Sequence, residues 1–123
     1  MGDILMVHYS DRNINDMSLV QALRSPFFKK FRQHKPFSKN MLRPCPIMDV
    51  PEALTKITGL EGVRSTHLNC PESARHLAEK TMPLAKAWEP VADNMYEEMP
   101  KSEKKRFGIL TRLLYSGNKI IAG

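Results

Sequence analysis

The chain has 123 residues, a formal net charge of +6, 41% hydrophobic and 26% charged residues. That length and balance describe one compact globular domain and exclude a low-complexity chain. Two cysteines are too few for a disulfide scaffold. No stretch reads as a signal peptide and the first apolar run, ILMVHY, is far too short to span a membrane, so a reducing cytoplasmic compartment is the expectation.

In chain order, DILMVHY has strand composition and is followed by the polar turn SDRNIND. Residues 4–9 therefore read as an N-terminal strand. The rest of the chain offers no second good strand, so its partner is expected outside the chain. SLVQALRS reads as a short helix capped by Ser18, with Leu19, Ala22 and Leu23 on one face. SPFFKKFRQHK restarts it, with Ser25 as cap, Pro26 at the first helical position, and Phe27, Phe28 and Phe31 on the apolar side. PFSKNMLRPCP is a proline-bounded loop. DVPEALTKITGLEG predicts a helix capped by Asp49, with Glu52 completing a capping box and Gly59 ending it. EGVRSTHLNCP reads as a loop.

A longer helix is expected from Pro71, capped by Asn69 or Cys70. Leu77, Leu84, Trp88, Val91 and Met95 keep a helical spacing along it, and Pro83 and Pro90 should break or kink it. The last helix runs from Ser102 to the stop at Gly117, with Phe107, Leu110, Leu113 and Leu114 as its apolar face. Aromatics are few, so Leu, Ile, Val and Met are expected to fill the core, and the eight methionines suggest adaptable apolar surfaces. The fold class is mainly α: short helices, Pro-rich loops and one N-terminal strand.

The positive charge is unevenly placed. Residues 1–100 carry 13 basic and 12 acidic side chains, whereas residues 101–123 carry six and one. From Arg24 to Arg43 there are seven basic residues and no acid. Lys29, Lys30, Arg32 and Lys35, among phenylalanines, form a candidate anion-binding or nucleic-acid patch. The helical spacing of the phenylalanines favours a core face backed by solvated Lys and Arg. The basic amphipathic tail has the character of a segment that docks on an anionic membrane, and a terminal helix covering the core is the simpler reading.

Catalytic signals are sparse. Cys45 and Cys70 stand 25 residues apart and neither belongs to a C-x-x-C pair, so in a zinc site assembled from Cys45, Cys70, His67 and His76 no ligand pair has strong spacing, save loosely His67 and Cys70, and ordinary buried or loop thiols are the simpler reading. No base is placed beside Cys45 to make it a nucleophile. His8 and Tyr9 stand where strand alternation sends one side chain inward and one outward, and a pocket role competes with a structural one.

Taken together, VHYSDRNINDMSLVQALRSPFFKKFRQHKPFSKNMLRPCPIMDVPEAL resembles the C-terminal region of radical S-adenosylmethionine (radical SAM) iron–sulfur proteins with a SPASM-like extension. In that family an HYS…N strand precedes SL-x-x-AL-x-SP-x-F, an N-x-LRPCP loop, a proline-started helix, and a segment like STH…ES…HL…W…VAD. The resemblance spans roughly residues 6–99, and the blocks SLVQALRSPFF and NMLRPCP carry most of it. It implies residues 1–100 as a C-terminal radical-SAM-like module of a larger α/β protein and residues 101–123 as a basic helical tail outside the pattern. The family's catalytic [4Fe–4S] barrel uses a C-x-x-x-C-x-x-C motif that this sequence lacks, so the chain by itself is expected not to be an enzyme. By resemblance, Cys45 is a candidate ligand of an auxiliary iron–sulfur cluster, although the cysteine the family places before the HYS strand is missing here. A possible pocket would draw on His8, Tyr9, Arg43 and His67. The implied partner is a catalytic radical SAM protein or a second copy, with the module capping an active site or holding part of a cluster. The alternative is a small basic helical protein that binds nucleic acid or another anionic partner.

Overall fold

The computed structural model describes residues 8–116. Expectations for residues 4–7, for Gly117 and for the segment 118–123 lie outside that range. Among the described residues the fold is mainly helical, with one two-stranded sheet.

The chain enters as β1, Tyr9–Ser10, which pairs antiparallel with β2, Arg64–Ser65. The partner strand is therefore inside the chain, contrary to the expectation from composition. RS has no strand signature of its own. It is set up by Gly62, whose φ of +84° suits a residue without a Cβ. The ladder continues one step further, with Thr66 N–H donating to the His8 carbonyl at 2.9 Å.

Helix α1, Leu19–Leu23, starts at Ser18, which shares a capping box with Gln21. Helix α2, Pro26–Gln33, starts at Ser25, whose hydroxyl accepts the Phe28 N–H. Its Phe27 N–H donates to the Asp11 carboxylate at 3.1 Å, so a residue of the first turn reaches across to cap this helix. Of the two predicted apolar faces, Ala22, Phe27 and Phe31 are buried, whereas Leu19 and Leu23 are exposed.

Helix α3, Pro51–Thr58, has no side-chain cap. The predicted Asp49 capping box does not form, because Val50 is the N-cap and Asp49 turns back to its own loop. Gly59 closes the helix as expected, donating its N–H to the Thr55 carbonyl.

Helix α4, Ala74–Glu98, begins three residues later than predicted. Ser73 caps it by accepting the His76 N–H, which supersedes Asn69 and Cys70. It runs as one helix through Pro83 and Pro90. Both prolines are exposed and seven residues apart, so they share one solvent-facing side. The buried row is Ala78, Ala85 and Ala92 rather than the larger side chains. Leu84, Val91 and Met95 are exposed.

Helix α5, Lys101–Ser116, follows directly. It does not cover the core: Leu110, Leu113 and Leu114 are exposed, and Phe107 is half-buried.

The core gathers Tyr9, Phe27, Phe31, Ile47, Leu54 and Ile57, together with Ala53 and Ala78. It leans on aromatics despite their scarcity, and no valine or methionine is among its buried residues. Each buried Phe, Leu or Ile contributes about 1.5–3 kcal/mol. Among the described residues the methionines lie partly or wholly at the surface, as Met48 and Met95 do. No described helix is long and apolar enough to cross a membrane.

Candidate functional site

Two constellations carry the polar chemistry. The first is the loop 38–50, which joins α2 to α3 and lies along α4. Asn40 is buried, accepts the Leu42 N–H through its side-chain oxygen at 2.9 Å, and donates to Asp93 at 2.8 Å. The Leu42 carbonyl accepts the Trp88 indole N–H at 3.2 Å. Arg43 donates to Glu89 at 2.7 Å and to the Asp49 carbonyl at 3.1 Å. Asn40, Leu42 and Arg43 thus strap the loop to Asp93, Trp88 and Glu89 on one helix. Arg43 Nε is buried without a partner, so the guanidinium is held in place by its two other nitrogens.

The second half of the loop closes on itself. The Cys45 N–H donates to the Asp49 carboxylate at 2.8 Å, and the Cys45 carbonyl accepts from the Asp49 and Val50 N–H groups. Pro44 and Pro46 remove two N–H groups that such a tight turn could not satisfy. Pro46 and Ile47 are buried, and the half-buried Cys45 side chain packs against the core. The proline bracket around Cys45 therefore shapes a core-facing turn.

The second constellation is a cleft of about 260 Å³ beside the β1–β2 pair, lined by His8, Tyr9, Ser65, His67, Cys70 and Glu72. His8 Nδ1 and His67 Nε2 are 3.2 Å apart. The buried Tyr9 donates its hydroxyl to the Glu72 carbonyl at 3.2 Å. Burial, and secondly the Glu72 charge, push the Tyr9 phenol above its usual range. The Glu72 carboxylate pairs with His76 and, at 3.6 Å, with Lys80.

The pocket expected from the sequence is thereby divided. His8, Tyr9 and His67 come together, and Arg43 belongs to the strap on α4. Cys70, weighed in the sequence as a loosely spaced ligand partner of His67, lines the same cleft, and Glu72 joins it unannounced, because its position follows a loop whose path is set by β2 pairing at a distance. Asp11, Asn40, Asp93 and Glu89 were also unmarked, since each acts through a partner between 16 and 53 residues away.

In the basic run, Arg32 donates to the Leu23 carbonyl at 2.7 Å and Lys35 lies over the Phe31 ring at 4.5 Å. Lys29 is exposed and Lys30 half-exposed. The intervening Phe27 and Phe31 are core residues rather than stacking platforms.

An iron–sulfur cluster takes four thiolates, and this chain has two cysteines, on different loops. Among the described residues, no three His, Cys, Asp or Glu side chains are arranged to hold one metal ion. A complete cluster in this chain does not fit these residues. Compared with protein-family models, curated proteins and solved structures, the chain gives no match.

Proposed function

We propose that the chain is a non-catalytic, cytoplasmic helical module that docks on a catalytic partner of the radical SAM kind and caps its active site. The observation that carries the reading is the apolar surface left on α4 and α5. Leu84, Val91 and Met95 form one stripe on α4, at a spacing of seven and four residues, and all three are about half exposed. Ile109, Leu110, Leu113 and Leu114 add a second apolar face on α5, the last two 67% exposed. The described core lies elsewhere, and contiguous exposed apolar surface marks interaction sites. The identity of the partner rests on the sequence resemblance, and the strap supports it physically. The NMLRPC block that carries the resemblance is the segment held rigidly along α4, so it serves as scaffold for the docking helix.

The test is co-expression of the untagged chain with radical SAM proteins of its own genome, followed by size-exclusion chromatography under anaerobic conditions. Wild type should co-elute with one of them at a fixed stoichiometry. The double substitution Leu84→Asp, Val91→Asp should abolish co-elution while the circular dichroism of the chain stays helical. A wild-type chain that elutes alone beside every such protein, or a double variant that still co-elutes, would overturn the reading.

A further inference from the structure

The cleft beside the sheet shares none of its lining residues with the apolar faces of α4 and α5. We propose that His8 and His67 bind a divalent transition-metal ion of the imidazole-preferring class, such as Zn²⁺, as an open two-histidine site.

The geometry is the first ground. Two imidazole nitrogens bound to one tetrahedral Zn²⁺ at about 2.0–2.1 Å stand about 3.3 Å from each other. His8 Nδ1 and His67 Nε2 stand 3.2 Å apart. The two rings are tilted by 30° with centroids 5.4 Å apart, so they converge at their nitrogens rather than stack face to face. Placing an ion between them therefore asks for little change in their separation.

Anchoring is the second ground. The histidines flank the short sheet, His8 one residue before β1 and His67 two residues after β2. The His8 carbonyl accepts the Thr66 N–H at 2.9 Å, and the His67 N–H donates to Ser65 Oγ at 3.2 Å. Rings held on paired backbone meet an ion without a large ordering cost, which is what makes two ligands 59 residues apart act as one site. The surroundings are compatible with a cation. The Glu72 carboxylate lines the same cleft, its charge shared with His76 and Lys80, and the Tyr9 hydroxyl is already engaged by the Glu72 carbonyl.

Two protein ligands are fewer than a structural zinc site uses, so the remaining positions belong to water and the ion is exchangeable. The same nitrogen separation also fits two neutral imidazoles sharing one proton. Metal titration separates the two.

The experiment is calorimetric titration of Zn²⁺ into the full untagged chain carrying Cys70→Ser, which removes the exposed thiol as a competing ligand. One equivalent should bind saturably. His8→Ala and His67→Ala, made separately, should each weaken binding by more than about tenfold, and His76→Ala should leave it unchanged. A second readout needs no histidine substitution: the first equivalent should shift the ring proton resonances of His8 and His67 in the NMR spectrum. Absence of saturable binding, histidine variants that titrate like the parent, or loss of binding in His76→Ala would overturn the proposal. So would a first equivalent that leaves the His8 and His67 ring resonances in place.

Discussion

Tyr9 links the sheet, the core and the cleft in a single side chain. Its ring is buried and its hydroxyl donates to the Glu72 carbonyl. Tyr9→Phe should cost about 1 kcal/mol at neutral pH, the net worth of one hydrogen bond, read from urea midpoints. The phenol is pushed above its usual value, near 10, by burial and then by Glu72. Below that usual value both folded and unfolded chains hold the proton, and the contribution of the phenol is fully present. Above it the unfolded chain ionises first, so stability falls as pH climbs toward the raised folded value. Wild type should therefore lose stability more steeply than Tyr9→Phe above about pH 10. Equal slopes in urea midpoints across that range would contradict it. At this scale the sequence was legible where the signal is local. Ser18 and Ser25 cap the helices that immediately follow them. Asp49 carries the same kind of signal, yet its carboxylate is taken by the Cys45 N–H, four residues back in the same loop. The competing partner lay behind it, in the direction a capping rule does not examine.

Helix α4 shows why periodicity found the element and mistook its face. Leu77, Leu84, Trp88, Val91 and Met95 keep helical spacing, and the helix is there. The buried row is alanine, on a helix that packs against α3. Ala85→Leu should destabilise by about 1–3 kcal/mol through overpacking. Leu84→Ala, one residue away and exposed, should stay within about 0.5 kcal/mol. Chemical denaturation of the pair checks the assignment, and the reverse order of effects would place the helix the other way round. The prolines mislead for a related reason. A proline interrupts a helix when its ring meets packed neighbours or strands a buried carbonyl, and Pro83 and Pro90 lie on an exposed side. The β1–β2 pair was illegible for yet another reason: two residues per strand are too few for any alternation to register.

For the whole molecule, the core lies among β1, α2, α3, the strap and the first half of α4, and α5 stands outside it. A chain ending at Pro100 should therefore unfold within about 0.5 kcal/mol of the full-length protein, as read by thermal and urea denaturation. The same truncation should weaken partner binding, because it removes one of the two apolar faces. A large loss of stability would instead make α5 part of the fold. The general class, mainly helical with proline-rich loops, could be read from composition and punctuation. The site was legible only in part: His8, Tyr9 and His67 stand out in the sequence, whereas the bonds that join the loop to α4 and His8 to His67 cross between 46 and 59 residues.

Those crossing bonds have a further consequence. Between β2 and α4 the residues from Thr66 to Pro71 are all exposed. Asn40, Leu42 and Arg43 lie before that segment, and Asp93, Trp88 and Glu89 lie after it. Continuity of the peptide there adds little to the packing of α3 on α4. The core thus draws on two stretches of chain, before and after an exposed connection that includes residues 68–71. A gene divided within that connection would encode a pair of chains that recognise each other through the strap.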